Sequence, residues 1–269
     1  MIPHIIHQIG PEDQTTWHPI WKTCQQSIFQ AFPGVEYKLW NDQDDINRIV
    51  KKHYSEFWNL YQALPVHIMK IDFARLCILH RYGGLYLDLD YFVYKPFFDQ
   101  ITKHVGFVSN ANLEYTSAEV ENCLMFGTPN HPFLYLCLKY CKTGFILYRN
   151  RFKVSNNWRN NENSFIVNNS TGSGMLETAY KQFNTMFDFQ LLDSKLFNPL
   201  PCYYSPTLFG KHFHTSIWGK EYIPSIQTSK LLIHQHRIYL INQDEKIDLE
   251  QYITLDYSEF DFYHHYCDT

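Results

Sequence analysis

No run of 18 or more apolar residues occurs anywhere in the 269 positions of this sequence. No segment therefore has the length to cross a bilayer as a helix. The opening MIPHIIHQIG also lacks a charged n-region and a long apolar core, so the expectation is a cytoplasmic protein without signal peptide or transmembrane segment, or one that acts on a membrane from outside without spanning it. There is no Lys/Arg block and no basic stripe. With 23 Lys and Arg against 27 Asp and Glu the net charge is −4, which argues against nucleic acid as the main partner. No C-x-x-C pair is found among the seven Cys, at 24, 77, 123, 137, 141, 202 and 267. An odd, scattered set is neither a disulfide framework nor a zinc ribbon. Cys137 and Cys141, four apart in an expected helix, are either half a metal site or two small side chains packing on one face, and packing is the ordinary reading.

What is present is a soluble globular composition, 45% hydrophobic and 19% charged. Aromatics reach 17%. They serve either a large aromatic core, the ordinary reading, or a pocket for rings and sugars. No linker and no internal repeat divides the chain, so residues 1–269 are read as a single domain.

The first hundred residues alternate between strand and helix signals. The apolar run 4–9 reads as a buried strand. Ile20, Trp21, Cys24, Ile28 and Phe29 mark a helix over 18–31 that Pro33 and Gly34 end. Residues 36–40 form a second strand, and Asn41 or Asp42 caps a helix over 43–53. A helix opened by Pro65 runs to Gly83, placed as a left-handed cap. The strand LYLDLDYFV follows, closed by Lys95-Pro96. This order predicts an α/β fold, a mixed central sheet flanked by helices, with ligands at the carboxyl ends of the strands. Residues 140–175 are polar and Asn-rich and read as long loops, a lid or acceptor-side insert. The pattern beyond 200 is weak, and the acidic, aromatic tail has no assignment.

Asp is a poor strand former, yet Asp88 and Asp90 stand in that strand. Read as a strand, positions i and i+2 share a face, with Leu87 and Leu89 on the other. Two carboxylates this close repel unless a cation lies beside them. Mn²⁺ or Mg²⁺ suits such oxygen ligands and would hold a diphosphate that bare carboxylates repel. In the preceding helix Asp72 and Arg75 are three apart and share a face. The remainder of that helix is apolar, so the pair needs buried partners, and sugar hydroxyls are suitable ones.

IDFARLCILHRYGGLYLDLD (71–90) resembles the sugar-nucleotide-binding region of the glycosyltransferases with an Asp-x-Asp motif. This group is like family 32 and includes the initiating α-1,6-mannosyltransferase, the α-1,4-galactosyltransferases and the clostridial glucosylating toxins. IPHIIHQIG resembles the first strand of that group, Ile-Pro-Lys-Ile-Ile-His-Gln-Ile-Trp, and residues 37–42 its second. Glu121 to Gly127 with His131-Pro132, Thr171-Gly172, and His214 to Trp218 resemble later segments. The resemblance implies a GT-A fold, with residues 1–100 as the nucleotide-sugar half and 101–269 as the acceptor side and C-terminal loop. It also implies a metal-dependent, retaining transfer of a sugar from a nucleotide sugar, UDP-sugar first, to a glycan or other hydroxyl acceptor. Carried over by position, Asp72 and Arg75 hold donor hydroxyls, Tyr86 lines their pocket, and Gln8 and Ile9 touch the donor from the first strand. Asp88 contacts sugar or ribose and Asp90 ligates the metal, with Asn122 facing the donor sugar. Ser216 completes the metal shell and Trp218 contacts the diphosphate. His214 is expected as a further ligand, with His212 as its competitor.

Three departures matter. Gly10 stands where the group has Trp, so a stacking partner for the base must be sought elsewhere, Trp17 or Trp40. Thr-Gly-Pro is Thr-Gly-Ser here. The absence of an anchor favours a bacterial or virus-encoded enzyme, active in polysaccharide biosynthesis, over a Golgi one. Two other readings stand beside this one. A phosphatase that uses Asp-x-Asp at a strand end would need Asp-x-Thr or Asp-x-Val after its nucleophile, and Tyr91-Phe92 follow Asp90 instead. A non-catalytic nucleotide-sugar or glycan-binding protein would not need all of Asp72, Arg75, Asp88 and Asp90.

Overall fold

The computed structural model describes residues 1–110, 119–152, 161–199, 206–213, 215, 230–234, 237–242 and 245–248. Strand β1, Ile5–Gly10, is buried at all six positions, as a strand covered on both faces must be. Its polar members are satisfied. His7 Nε2 lies 2.9 Å from the Gly83 carbonyl and Nδ1 accepts from Trp40 Nε1 at 3.2 Å. Helix α1, Pro19–Ala31, leads to β2, Glu36–Asn41, which pairs parallel to β1. Helices α2, Asp44–His53, and α3, Trp58–Ala63, follow. The Asn41 carboxamide oxygen accepts from the Gln43 and Asp44 amides at 2.8 Å each and so serves the start of α2.

Helix α4, His67–Tyr82, buries nine of its residues, Asp72 and Arg75 among them. A helix apolar nearly all round has to lie inside. It ends in a tight reversal at Gly83 (φ 65°) and Gly84 (φ 92°). A Cβ at Gly84 would stand 2.6 Å from the Ile5 carbonyl oxygen, so only glycine lets the helix turn straight back into β3, Gly84–Leu87. Strand β4 is Tyr91–Val93, β5 is Val105–Ser109 and β6 is Val120–Gly127. Then come α5, Pro132–Tyr148, α6, Asn161–Ser170, and α7, Ser173–Phe183. Strand β7, Phe189–Leu192, α8, Ser194–Phe197, and β8, Gly210–His212, complete the main body. Strands β9, Lys230–His234, β10, Arg237–Asn242, and β11, Glu245–Asp248, form a separate antiparallel sheet.

The central sheet has the order β2-β1-β3-β6-β5-β7. Strand β3 runs parallel to β1 and antiparallel to β6, while β5 is antiparallel to β6 and parallel to β7. This is the mixed sheet with flanking helices that the sequence predicts. Two apolar clusters cover its faces. One is built on α4, α5 and α7, the other on Ile28, Phe32, Leu85, Leu87, Phe97 and Phe126.

Two local expectations are corrected. The segment 140–175 is largely helical where it is described, through the end of α5, α6 and the start of α7. Its Asn content misleads because Ile166 and Val167 are buried and tie α6 to the core, and tertiary packing overrides propensity. Asp88 and Asp90 do not lie within one strand. Strand β3 stops at Leu87, and 88–90 form a turn in which the Tyr91 amide donates to the Asp88 carbonyl at 3.0 Å. Beyond the turn, β4 leaves the main sheet and pairs antiparallel with β8.

Candidate functional site

The carboxyl ends of β1 and β3, the Asp88–Asp90 turn, α4 and α6 enclose a cavity of about 520 Å³. The turn is pinned from three sides. The Asp88 amide donates to the Cys123 carbonyl at 2.9 Å. Gln8 Nε2 donates to the Asp88 carbonyl at 2.9 Å. Tyr37, itself hydrogen-bonded by Gln25, donates to the Gln8 amide oxygen at 2.8 Å. Gln8 thus holds the turn and does not line the cavity, whereas Ile9 does.

Arg75 is the hub of the inner wall. Its Nη2 lies 3.0 Å from Asp72 Oδ1 and its Nη1 3.1 Å from Asp88 Oδ1. Nη1 also donates to the Asn122 carbonyl at 2.7 Å, and the guanidinium stands 4.7 Å from the centre of the Tyr86 ring. The Tyr86 hydroxyl donates to Asp88 Oδ1 at 3.0 Å. Asp72 accepts in addition from Asn122 Nδ2 and from Thr171 Oγ1, both at 3.1 Å. Burial raises the Asp72 and Asp88 carboxyls above the ordinary range, and Arg75 offsets only part of that.

Asp90 has a different environment. His212 Nε2 lies 3.0 Å from its Oδ1, and the Thr215 amide and hydroxyl both donate to its Oδ2 at 2.8 Å. Burial pushes this carboxyl up, but His212 and Thr215 outweigh it and hold the group well below the usual carboxylate range. Burial also disfavours a charged His212. Asp90 outweighs that in turn and raises the imidazole well above its ordinary value. Register delivers the pair: Tyr91 stands opposite His212 between β4 and β8, and the Phe213 amide closes the ladder on the Asp90 carbonyl at 3.0 Å.

Asp88, Asp90 and His212 bring ligand atoms within 4.8 Å of one another. Two carboxylate oxygens and an imidazole nitrogen, open to a cavity, suit a divalent cation such as Mn²⁺ or Mg²⁺. The surroundings fit as well. Asp90 is held ionised with Asp88 beside it, and a cation between the two would offset the burial that disfavours the charged form of Asp88. The same imidazole belongs to a second set with Glu121 and Cys123. Burial pushes the Cys123 thiol up to about 12. A thiol is a soft donor, whereas Mn²⁺ and Mg²⁺ prefer oxygen ligands, so the Asp88–Asp90 side is the better site for them.

Most of the residues singled out in the sequence meet here. Asp72, Arg75, Tyr86, Asp88, Asp90 and Asn122 all line the cavity. His214, Ser216 and Trp218 lie outside the described residues, and among the described ones it is His212 that reaches Asp90. Leu89 does not face away from the site. It lines the cavity over Gly10, where a Cβ would come within 2.3 Å of Leu89 Cδ1. Trp17 and Trp40 are buried, with indole N–H groups donating to the Pro11 carbonyl and to His7, and neither lines the cavity. The indole that does is Trp21, whose Nε1 donates to Thr215 Oγ1 at 3.3 Å. Sequence reasoning missed Thr171, Thr215 and Trp21 as site residues. Thr171 and Thr215 left a signal only as members of the family-like segments Thr171-Gly172 and His214 to Trp218, and Trp21 as a large residue on the apolar stripe of α1.

Residues 19–108 match the family described as "Glycosyltransferase sugar-binding region containing DXD motif". Over 255 residues the chain is 28% identical to an uncharacterized glycosyltransferase of Acanthamoeba polyphaga mimivirus, covering 90% of this chain and 92% of that protein. It is 32% identical over 139 residues to inositol phosphoceramide mannosyltransferase 1 of Schizosaccharomyces pombe, covering 50% of this chain and 41% of that protein. The chain spans less than half the length of the yeast relatives it matches. Among solved structures, the PaToxG glycosyltransferase superposes with a TM-score of 0.48 at 16% identity, over 67% of this chain and 69% of that one. These relatives are viral and fungal, so the expectation of a bacterial or viral source draws no support as a pair.

Proposed function

We propose that the chain is a glycosyltransferase of the kind whose sugar-binding region contains a DXD motif, the family that residues 19–108 match, and that it moves a hexose from a nucleoside diphosphate sugar to a hydroxyl acceptor within a GT-A-type fold. The observation that carries this reading is the convergence of Asp88, Asp90 and His212 beside the buried Arg75–Asp72 pair in one cavity. A divalent ion at the three ligands would supply positive charge to the donor diphosphate and to the departing phosphate.

The remaining work belongs to side chains. Asp72 and Asn122 accept from and donate to sugar hydroxyls, and Arg75 fixes both. Asp88, held by Arg75 and Tyr86, is the inner ligand and also faces the sugar or ribose. Asp90 is kept ionised by His212 and Thr215 and so remains available as a ligand. By the family resemblance, Ser216 would complete the metal shell and Trp218 would contact the diphosphate. Asp72 and Asp88 are tied to Arg75 and so are poorly placed to attack the sugar. Retention is what the family resemblance implies, and with no carboxylate placed to attack the sugar it is read as front-face attack by the acceptor hydroxyl, with the leaving phosphate taking the proton. Trapping a covalent glycosyl-enzyme would overturn that stereochemical step.

UDP-sugars are the first donors to test. Three Schizosaccharomyces pombe relatives are named inositol phosphoceramide mannosyltransferases, which makes mannosyl donors the second set and phosphoinositol-bearing acceptors a matching choice. The experiment is a screen of UDP- and GDP-sugars with Mn²⁺, following nucleotide release, with Asp90→Ala as control. Release from one donor that the variant loses supports the reading. Silence across all donors, together with no Mn²⁺-dependent nucleotide binding, overturns it.

A further inference from the structure

Residues 122–161 contain six Lys or Arg and no Asp or Glu, in a chain whose net charge is −4. The middle of this segment is α5, whose inner side packs Phe133, Leu134, Cys137, Leu138, Cys141 and Phe145 into the core. Its outer side presents Lys139, Lys142, Ile146, Leu147 and Arg149, all exposed. Ile146 is 49% and Leu147 66% exposed, and on α6 the neighbouring Phe165 is 47% exposed. The Tyr148 and Phe165 rings meet edge to face at 5.6 Å, so the apolar side chains of the two helices form one surface. Single exposed hydrophobics are common. Three on adjoining helices, with Lys139, Lys142 and Arg149 beside them and Glu162 as the single acidic residue of α6, are a different pattern.

We infer that the outer face of the C-terminal half of α5, with Phe165 of α6, is a docking surface for a lipid bilayer carrying anionic headgroups. The chemistry is that of an interfacial helix: aliphatic and aromatic side chains enter the headgroup boundary while Lys and Arg beside them meet phosphate. Charge complementarity selects the occupant, since six Lys or Arg in residues 122–161 stand against a single acidic residue on α6, Glu162. Position gives the docking a use. Ser164, Val167 and Asn168 of α6 line the cavity, and Phe165 points away from it. A membrane against Phe165 therefore lies one helix thickness from the site, about 10 Å. The inference does not depend on the reaction proposed above, because binding to vesicles needs no turnover.

The test is co-sedimentation of the full chain with two kinds of vesicle, phosphatidylcholine alone and phosphatidylcholine mixed with phosphatidylinositol. Binding is expected to the mixed vesicles only, and it should weaken as salt is raised. Ile146→Ser/Leu147→Ser and Lys142→Glu/Arg149→Glu should each lower the partition coefficient about tenfold. All four side chains are exposed, and unchanged unfolding midpoints would show that the variants fold. Lys51→Glu/Lys52→Glu makes the same charge change on the exposed side of α2 and should bind like the parent. No binding, equal binding to neutral vesicles, or equal loss in the α2 variant would overturn the inference. So would a dimer of the parent that Ile146→Ser/Leu147→Ser dissociates, since the surface would then be covered by a second copy.

Discussion

Replacing Arg75 by Met tests whether the inner wall of the site is organised around one buried cation. Methionine keeps most of the volume and removes the charge. Asp72 loses its partner at 3.0 Å, Asp88 its partner at 3.1 Å, and the Asn122 carbonyl its donor at 2.7 Å. Arg75 is 3% exposed and Asp72 4%, so water does not replace what is lost. Breaking a buried pair from one side costs about 3–5 kcal/mol, which for a chain of this size lowers the melting temperature by roughly 10 °C. Arg75→Met/Asp72→Leu should recover most of the loss, because the uncompensated charge goes with its partner. Acid should narrow the gap too. Both carboxyls already titrate above the ordinary range through burial, and without Arg75 they rise further. The folded variant then binds protons that the unfolded chain does not hold until lower pH, so its stability rises as pH falls through the folded values. Denaturant unfolding of parent, single and double variants at pH 7 and pH 5 measures all of this. A loss under about 1 kcal/mol for Arg75→Met, or a double variant no more stable than the single, would refute the buried-hub argument.

Three further outcomes follow from the same geometry. His7 is buried and neutral, with its pKa lowered to about 4 by burial, so its contribution to stability is complete above its unfolded value of about 6.5. That contribution falls by about 2 kcal/mol between pH 7 and pH 5; His7→Gln should remove that part of the slope, and an unchanged slope would sink the assignment. Asp90→Asn keeps the Thr215 contact but not the charge, and should weaken Mn²⁺ binding by at least about tenfold, read from free Mn²⁺ by electron paramagnetic resonance; parental affinity would move the metal elsewhere. Gly10→Ala forces its Cβ onto Leu89 and should cost about 1–3 kcal/mol, with Leu89→Ala restoring most of it; equal stability of Gly10→Ala and parent would show that Leu89 does not fill that space.

How far the sequence carried depends on the kind of signal. Helix α4 was legible because a long apolar run with a glycine pair at its end admits few other readings, and Asp72 and Arg75 stood out as the charges it had to bury. The strands of the first hundred residues were legible for the same reason. The turn at 88–90 was not. A period of two is shared by a strand and by a short turn between two strands, and Leu87, Leu89 and Tyr91 keep the apolar beat through it. What distinguishes them is pairing: Leu87 bonds to β6, while Tyr91 bonds to β8, more than a hundred residues later. That same long-range ladder places His212 beside Asp90. No local rule puts His212 of FGKHFHTSIWG there, because its place is set by the register opposite Tyr91. Trp21 follows this logic as well. On α1 it reads as one more core residue, and it becomes a site residue only because Thr215, 194 residues later, is folded onto it. The residue types that the chemistry requires are thus written locally. Their order around the cavity is set by pairings that local periodicity does not encode, so variants at Tyr91, His212 and Thr215 should disturb the Asp90 environment while leaving the Asp72–Arg75 pair intact.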